Sequence, residues 1–151
     1  MLGTTSKPLS NKLYLPRDRV ALMTPLNIPF LDDLGGIRRD IHAHPELAFN
    51  ELRTAELVAR ELSSYGLAID RGLARTDVVG ILRKGNSRRA IGLRADMDAL
   101  PLLEKNDFAH RSTREGCMHA CGHDGHTTML LGAARYLAEH QDQLDFDGSV
   151  Y

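Results

Sequence analysis

The sequence is short of the residues that mark unusual classes of protein. Among 151 residues there are two cysteines, no tryptophan and only 5% aromatic side chains. Two cysteines are too few to staple a small secreted scaffold, so the cytoplasm is the expected compartment. No run approaches the roughly 18 consecutive apolar residues that a membrane-spanning helix needs. Charge of one sign is not in surplus either: 19 Lys and Arg against 20 Asp and Glu leave a formal net charge of −1. Nucleic acid and anionic membrane both select a basic surface, and neither is expected as a partner. What is present is an ordinary globular mixture with 42% apolar residues. Its length allows one domain at most, which need not be a complete one.

Residues 1–30 carry Pro8, Pro16, Pro25 and Pro29 and show no sustained period. They read as an irregular N-terminal extension, with prolines breaking the apolar stretch that a secretory signal requires. Periodicity begins at Leu31, where Leu34, Ile37 and Ile41 follow at helical spacing, and Pro45 ends that helix. A second helix starts near Asn50, a suitable N-cap, and closes at Gly66. Two strand-like runs follow, residues 77–83 and 89–94, separated by Lys84-Gly-Asn-Ser87, which has the composition of a hairpin turn. The second leads into Asp96 and Asp98, carboxylates placed to line a cleft. A third helix spans about Gly125 to His140 with Leu130, Ala133, Ala134 and Leu137 inward, and a strand begins near Phe146. This order predicts an α/β fold.

One window concentrates the chemistry. Cys117-Met-His-Ala-Cys-Gly-His-Asp-Gly-His126 holds two cysteines, three histidines and an aspartate in ten residues. These are ligands for zinc-like metals, and Gly122 gives the backbone freedom to bring Cys121 and His123 towards one ion. Asp124 is placed either to add an oxygen ligand or to orient an imidazole. The competing reading, packed thiols and imidazoles, is weakened by the density of such groups, and a closed zinc finger lacks its second knuckle. Asp96 and Asp98 alternate by two and would share a face on a continuing strand. His42 and His44 fall at the end of the first helix, where the dipole favours them and they can cap carbonyls.

Ile41-His-Ala-His-Pro-Glu-Leu47, Arg94-Ala-Asp-Met-Asp-Ala-Leu-Pro101 and Met118-His-Ala-Cys-Gly-His-Asp-Gly-His126 together resemble the M20 metallopeptidase family. They are most similar to its amidohydrolase branch of hippurate, N-acyl-amino-acid and auxin-conjugate hydrolases. The resemblance covers residues 31–151. It implies the N-terminal part of a zinc-peptidase-like catalytic domain, a mixed sheet flanked by helices, without the lid domain through which full-length relatives dimerise. It further implies a hydrolase that uses two divalent ions, of Zn, Mn, Co or Ni, to cleave the amide bond of small-molecule N-acyl amino acids. Cys121 and His123 would be metal ligands, and Asp98 would support the metal centre at the catalytic site. The Glu-Glu pair that supplies the general base in relatives is absent, so the 151-residue chain alone is expected to be inactive. The alternative is a truncated, non-catalytic metal-binding or interaction paralogue. A thiol hydrolase with Cys121 as nucleophile is a third reading, but it leaves the aspartate motif unexplained.

Overall fold

The computed structural model describes residues 28–151. The extension expected over residues 1–30 therefore lies almost wholly outside the described residues. Helix α1 (Leu31–Ala43) buries Leu34, Ile41 and His42 and carries Asp32 and Asp33 in its first turn, where the helix dipole favours anions. It stops where Pro45 pushes His44 out of the helical region. There the ring Nδ1–H of His44 caps the Asp40 carbonyl at 2.8 Å.

Helix α2 (Leu52–Ser64) starts later than the sequence indicates. Asn50 does not cap it, and the Glu51 side chain at the cap position makes no bond to the helix amides, accepting from Thr76 Oγ1 instead. The buried carboxylate of Glu46 takes that role. It accepts the backbone N–H of Arg53 at 3.1 Å and of Thr54 at 2.9 Å, two of the amides a helix start leaves free. The other end is as expected. Gly66 has φ +86, its N–H donates to Ser63 O, and Leu67 N–H reaches back to Leu62 O at 3.2 Å. This is a Schellman closure with Leu62 and Leu67 both in the core.

Four strands, β1 (Ala68–Arg71), β2 (Val78–Lys84), β3 (Ala90–Ile91) and β4 (Gly148–Val150), form a mixed sheet in the order β1-β2-β4-β3. β1 and β4 run antiparallel to β2, and β3 runs parallel to β4. The hairpin expected between β2 and β3 does not form, because β4 lies between them. Leu82 pairs with Val150, and Ile91 pairs with Val150 from the other side. The second run is also shorter and more open than a buried strand, with Ile91 64% exposed. β1 has no counterpart in the sequence reading; its largely exposed residues carry no apolar alternation to reveal it.

Helix α3 (His123–Glu139) makes the crossover between parallel strands β3 and β4, the kind of connection such a pair requires. It packs on α1, while α2 packs on β1, β2 and α3. Its inner face is the expected one only in part: Ala134 and Leu137 pack against the core. Asp124, Thr127, Thr128, Leu131 and Gly132 are buried, whereas Leu130, Ala133, Ala134 and Leu137 are only partly covered. The polar members of that face have internal partners: Thr127 Oγ1 donates to Asp96 O and Thr128 Oγ1 to Asp124 O. Gly132 allows α1 to come close, since a Cβ there would lie 2.7 Å from Leu34 Cδ1. The core between helices and sheet centres on Ile41, Leu57, Val58, Leu62, Leu82 and Leu131. No helix among the described residues is long and apolar enough to cross a membrane.

Candidate functional site

The crossover fixes where chemistry can gather. The segment after β3 and the start of α3 meet at the carboxyl end of a parallel strand, the usual ligand position in α/β sheets. Residues 92–98 continue from β3 without sheet pairing, and the isolated bridges Leu47 to Ala99 and Leu100 to Met118 pin the segment that follows. Gly122, with φ +84, turns the chain into α3. That places Cys121 immediately before the helix and His123 and Asp124 in its first turn.

The two residues of this turn point to different partners. His123 Nδ1 lies 2.9 Å from both the carbonyl and the carboxylate of Asp98. Both are acceptors, so Nδ1 carries the proton and Nε2 is the ring atom left with a lone pair. Cys121 is a free, exposed thiol. Asp96, in contrast, does not join Asp98: it pairs with Arg94. Cys117 is a buried thiol whose pKa burial pushes up, and it is the packed cysteine of the two.

Asp124 turns inward and is 1% exposed. Its Oδ2 lies 2.9 Å from His42 Nδ1 and accepts from Arg38 Nε at 3.2 Å. The opposite edge of the His42 ring, Nε2, lies 3.0 Å from Glu104 Oε1. Glu104 in turn accepts from Ser112 N–H and Asn106 Nδ2. Burial opposes its ionisation, but these donors and His42 prevail, holding its pKa down at about 2. Burial works against Asp124 in the same way, and again the hydrogen bond from His42 is the main cause that holds its pKa down. Burial also disfavours the charged form of His42. The bonds to Glu104 and Asp124 outweigh it and raise the pKa, so that both ring nitrogens donate. A second imidazole, His119, is 4% exposed, with neither ring nitrogen nor the neighbouring Asp124 Oδ1 hydrogen-bonded. Burial lowers its pKa, and the ring is held neutral.

His42 therefore departs from the helix-end role expected for it, while His44 fills that role. Asp124 orients an imidazole, but it is that of His42, eighty-two residues away in the chain. Glu104 and Arg38 were not singled out by sequence. Arg38 lies one turn before His42 in the same charged stretch of α1, and the close approach of α1 to α3 brings it to Asp124; Glu104 lies in the segment between β3 and α3 and meets the group through His42.

Residues 92–151 match the family described as Peptidase family M20/M25/M40. A hippurate hydrolase of Campylobacter jejuni is 52% identical over 127 residues, covering 82% of this chain and 32% of the relative. The chain belongs to the M20 peptidase family. An N-acyl-L-amino acid amidohydrolase of Geobacillus stearothermophilus is 47% identical over 108 residues, 71% of this chain and 29% of that protein. Among solved M20 structures, the YXEP protein of Bacillus subtilis, a dinuclear metal-binding peptidase, superposes with a TM-score of 0.74 at 35% identity. The match covers 81% of this chain and 34% of that one. The mixed α/β fold is thus that of an M20 catalytic domain, and the chain spans about a third of the length of these relatives.

Proposed function

We propose that this chain is part of a metal-dependent amidohydrolase that cleaves the amide bond of N-acyl amino acids. Cys121 and His123 hold metal, and Asp98 fixes His123. The observation that carries the reading is the Asp98–His123 pair at 2.9 Å. An imidazole whose Nδ1–H is tied to a carboxylate presents Nε2 in a set tautomer and direction, the usual arrangement of a metal-binding histidine. Cys121, two residues earlier and free, adds a soft donor. The set suits Zn, Mn, Co or Ni, and bound ions would supply a low-pKa water and polarise the scissile carbonyl.

Among the described residues no group of three or more His, Cys, Asp or Glu side chains converges as a metal site. Cys121 and His123 are then two ligands of a set that other residues complete, since catalytic metal sites generally use three or more protein ligands. The substrate class follows from the relatives. Hippurate is N-benzoylglycine, and both curated relatives are named for an acyl group on an amino acid.

The 151-residue chain alone is expected to show no hydrolysis of N-benzoylglycine with added Mn²⁺ or Zn²⁺. A chimera in which the matching segment of this chain replaces that of the Campylobacter hippurate hydrolase is expected to hydrolyse it, and to lose both activity and bound metal on Cys121→Ser. Chelator-sensitive turnover by the chain alone, or a chimera indifferent to Cys121→Ser, would overturn these assignments.

A further inference from the structure

We propose that His42 is a positioning residue for the metal-binding turn, acting through Asp124: it fixes the first turn of α3 from the side opposite Asp98, so that Cys121 and His123 are held ready for metal. The proposal rests on the ligand assignment above. Its basis is geometric. His123 and Asp124 are consecutive, yet they are anchored in different parts of the chain, His123 on Asp98 and Asp124 on His42. The turn needs such anchors because its N-cap, Gly122, has no side chain and makes no cap bond. A glycine in the left-handed region leaves the approach to the helix conformationally loose unless neighbours restrain it.

The clamp is also built to hold its own direction. The His42 ring is gripped at both edges, by Asp124 at 2.9 Å and Glu104 at 3.0 Å. It is 6% exposed, and Asp124 is 1% exposed. A second donor from α1, Arg38 Nε, reaches the same Asp124 oxygen. Rotation of Asp124 would leave a buried carboxylate oxygen without its donors, so the turn has one favoured setting.

The prediction separates the two edges of the ring. In His42→Asn the amide reaches the Nδ1 position and keeps the donor to Asp124; in His42→Gln it reaches the Nε2 position and keeps the donor to Glu104. The chimera that carries this chain's segment in the Campylobacter hippurate hydrolase, with its full ligand set, is titrated with Co²⁺, and the near-ultraviolet thiolate-to-cobalt absorption gives Kd. Loss of an outer partner of a metal ligand costs about 10- to 100-fold in affinity. His42 acts one residue further out, through Asp124, so His42→Gln is expected to weaken Co²⁺ by about tenfold, the lower end of that range, and His42→Asn to stay within about threefold of the unaltered chimera. A purely architectural role, anchoring the loop at Glu104, would reverse that order. Equal Kd values for the two variants, or the reversed order, overturn the proposal and leave the ligand assignment standing. Absence from the unaltered chimera of any absorption that Cys121→Ser removes sinks the ligand assignment, and the proposal with it.

Discussion

Glu104→Gln isolates the electrostatic part of the buried network and gives a result with a definite sign in pH. Glu104 accepts hydrogen bonds from three donors: His42 Nε2 and Asn106 Nδ2 at one oxygen, and Ser112 N–H at the other. A glutamine keeps the shape but must turn its own NH₂ towards one of these donors, leaving two donors facing each other. A pKa held at about 2 instead of 4.5 corresponds to about 3 kcal/mol of stability at neutral pH. Water reaching the neighbouring exposed loop residues screens part of this, so about 1.5–3 kcal/mol is the working range. Because the carboxylate pKa is depressed on folding, its stabilisation is fully present above pH 4.5 and is lost as pH falls towards 2. Urea unfolding of the unaltered chain and of Glu104→Gln should therefore differ by about 1.5–3 kcal/mol at pH 7, with the gap closing between pH 4.5 and 2. A gap that stays constant across this range would mean that shape and packing, not the charge, account for Glu104, and the electrostatic account would be refuted.

Two packing predictions test the contact between α1 and its neighbours. Ile41 has no exposed surface, and Ile41→Ala should lower unfolding stability by about 2–5 kcal/mol, measured by urea midpoint at constant slope; a cost below about 1 kcal/mol would contradict its central place in the core. Gly132→Val puts side-chain atoms where a Cβ already lies 2.7 Å from Leu34 Cδ1, so it should destabilise by about 1–3 kcal/mol in thermal or urea unfolding. Combining it with Leu34→Ala should recover part of that loss, whereas additive losses would place the strain elsewhere.

The elements that were legible in the sequence are those whose burial is written in apolar spacing. Leu34, Ile37 and Ile41 announce α1, Gly66 announces the end of α2, and the Val78 to Leu82 run announces β2. The parts that were not legible depend on partners remote in the chain. β2 and β3 look like a hairpin because a turn-like stretch separates them. The interaction that displaces that pairing comes from β4, some sixty residues on, and no local pattern records it. The inner face of α3 is legible only in part for a related reason: counting apolar side chains finds Ala134 and Leu137, which pack on the core, but passes over Asp124, Thr127 and Thr128, which are buried as well. Thr127 and Thr128 donate their hydroxyls to backbone carbonyls and Asp124 Oδ2 has two donors from α1, which makes their burial tolerable, while Asp124 Oδ1 is left without a hydrogen-bond partner. Cys121, His123 and Asp98 stood out because the residue types themselves bind metal. His42 and Glu104 did not, because a histidine at a helix end and a glutamate in a loop have ordinary uses.

Charge balance allows the buried network to exist. One imidazolium between two carboxylates carries a net charge of −1, which would be costly to seal completely. Arg38 brings the sum to zero, and its side chain is 59% exposed. The fourth charge is thus supplied from the surface, by a long side chain that keeps most of its hydration while lending one N–H to Asp124. Only three charged groups need to be desolvated, and each has hydrogen bonds to its charged form. His119, its ring centre 6.2 Å from that of His42, is held neutral by burial and adds no further cation. Neutral balance with fixed directions is what the proposed metal-binding turn would require: surrounding charges that hold the turn in place without competing for an ion.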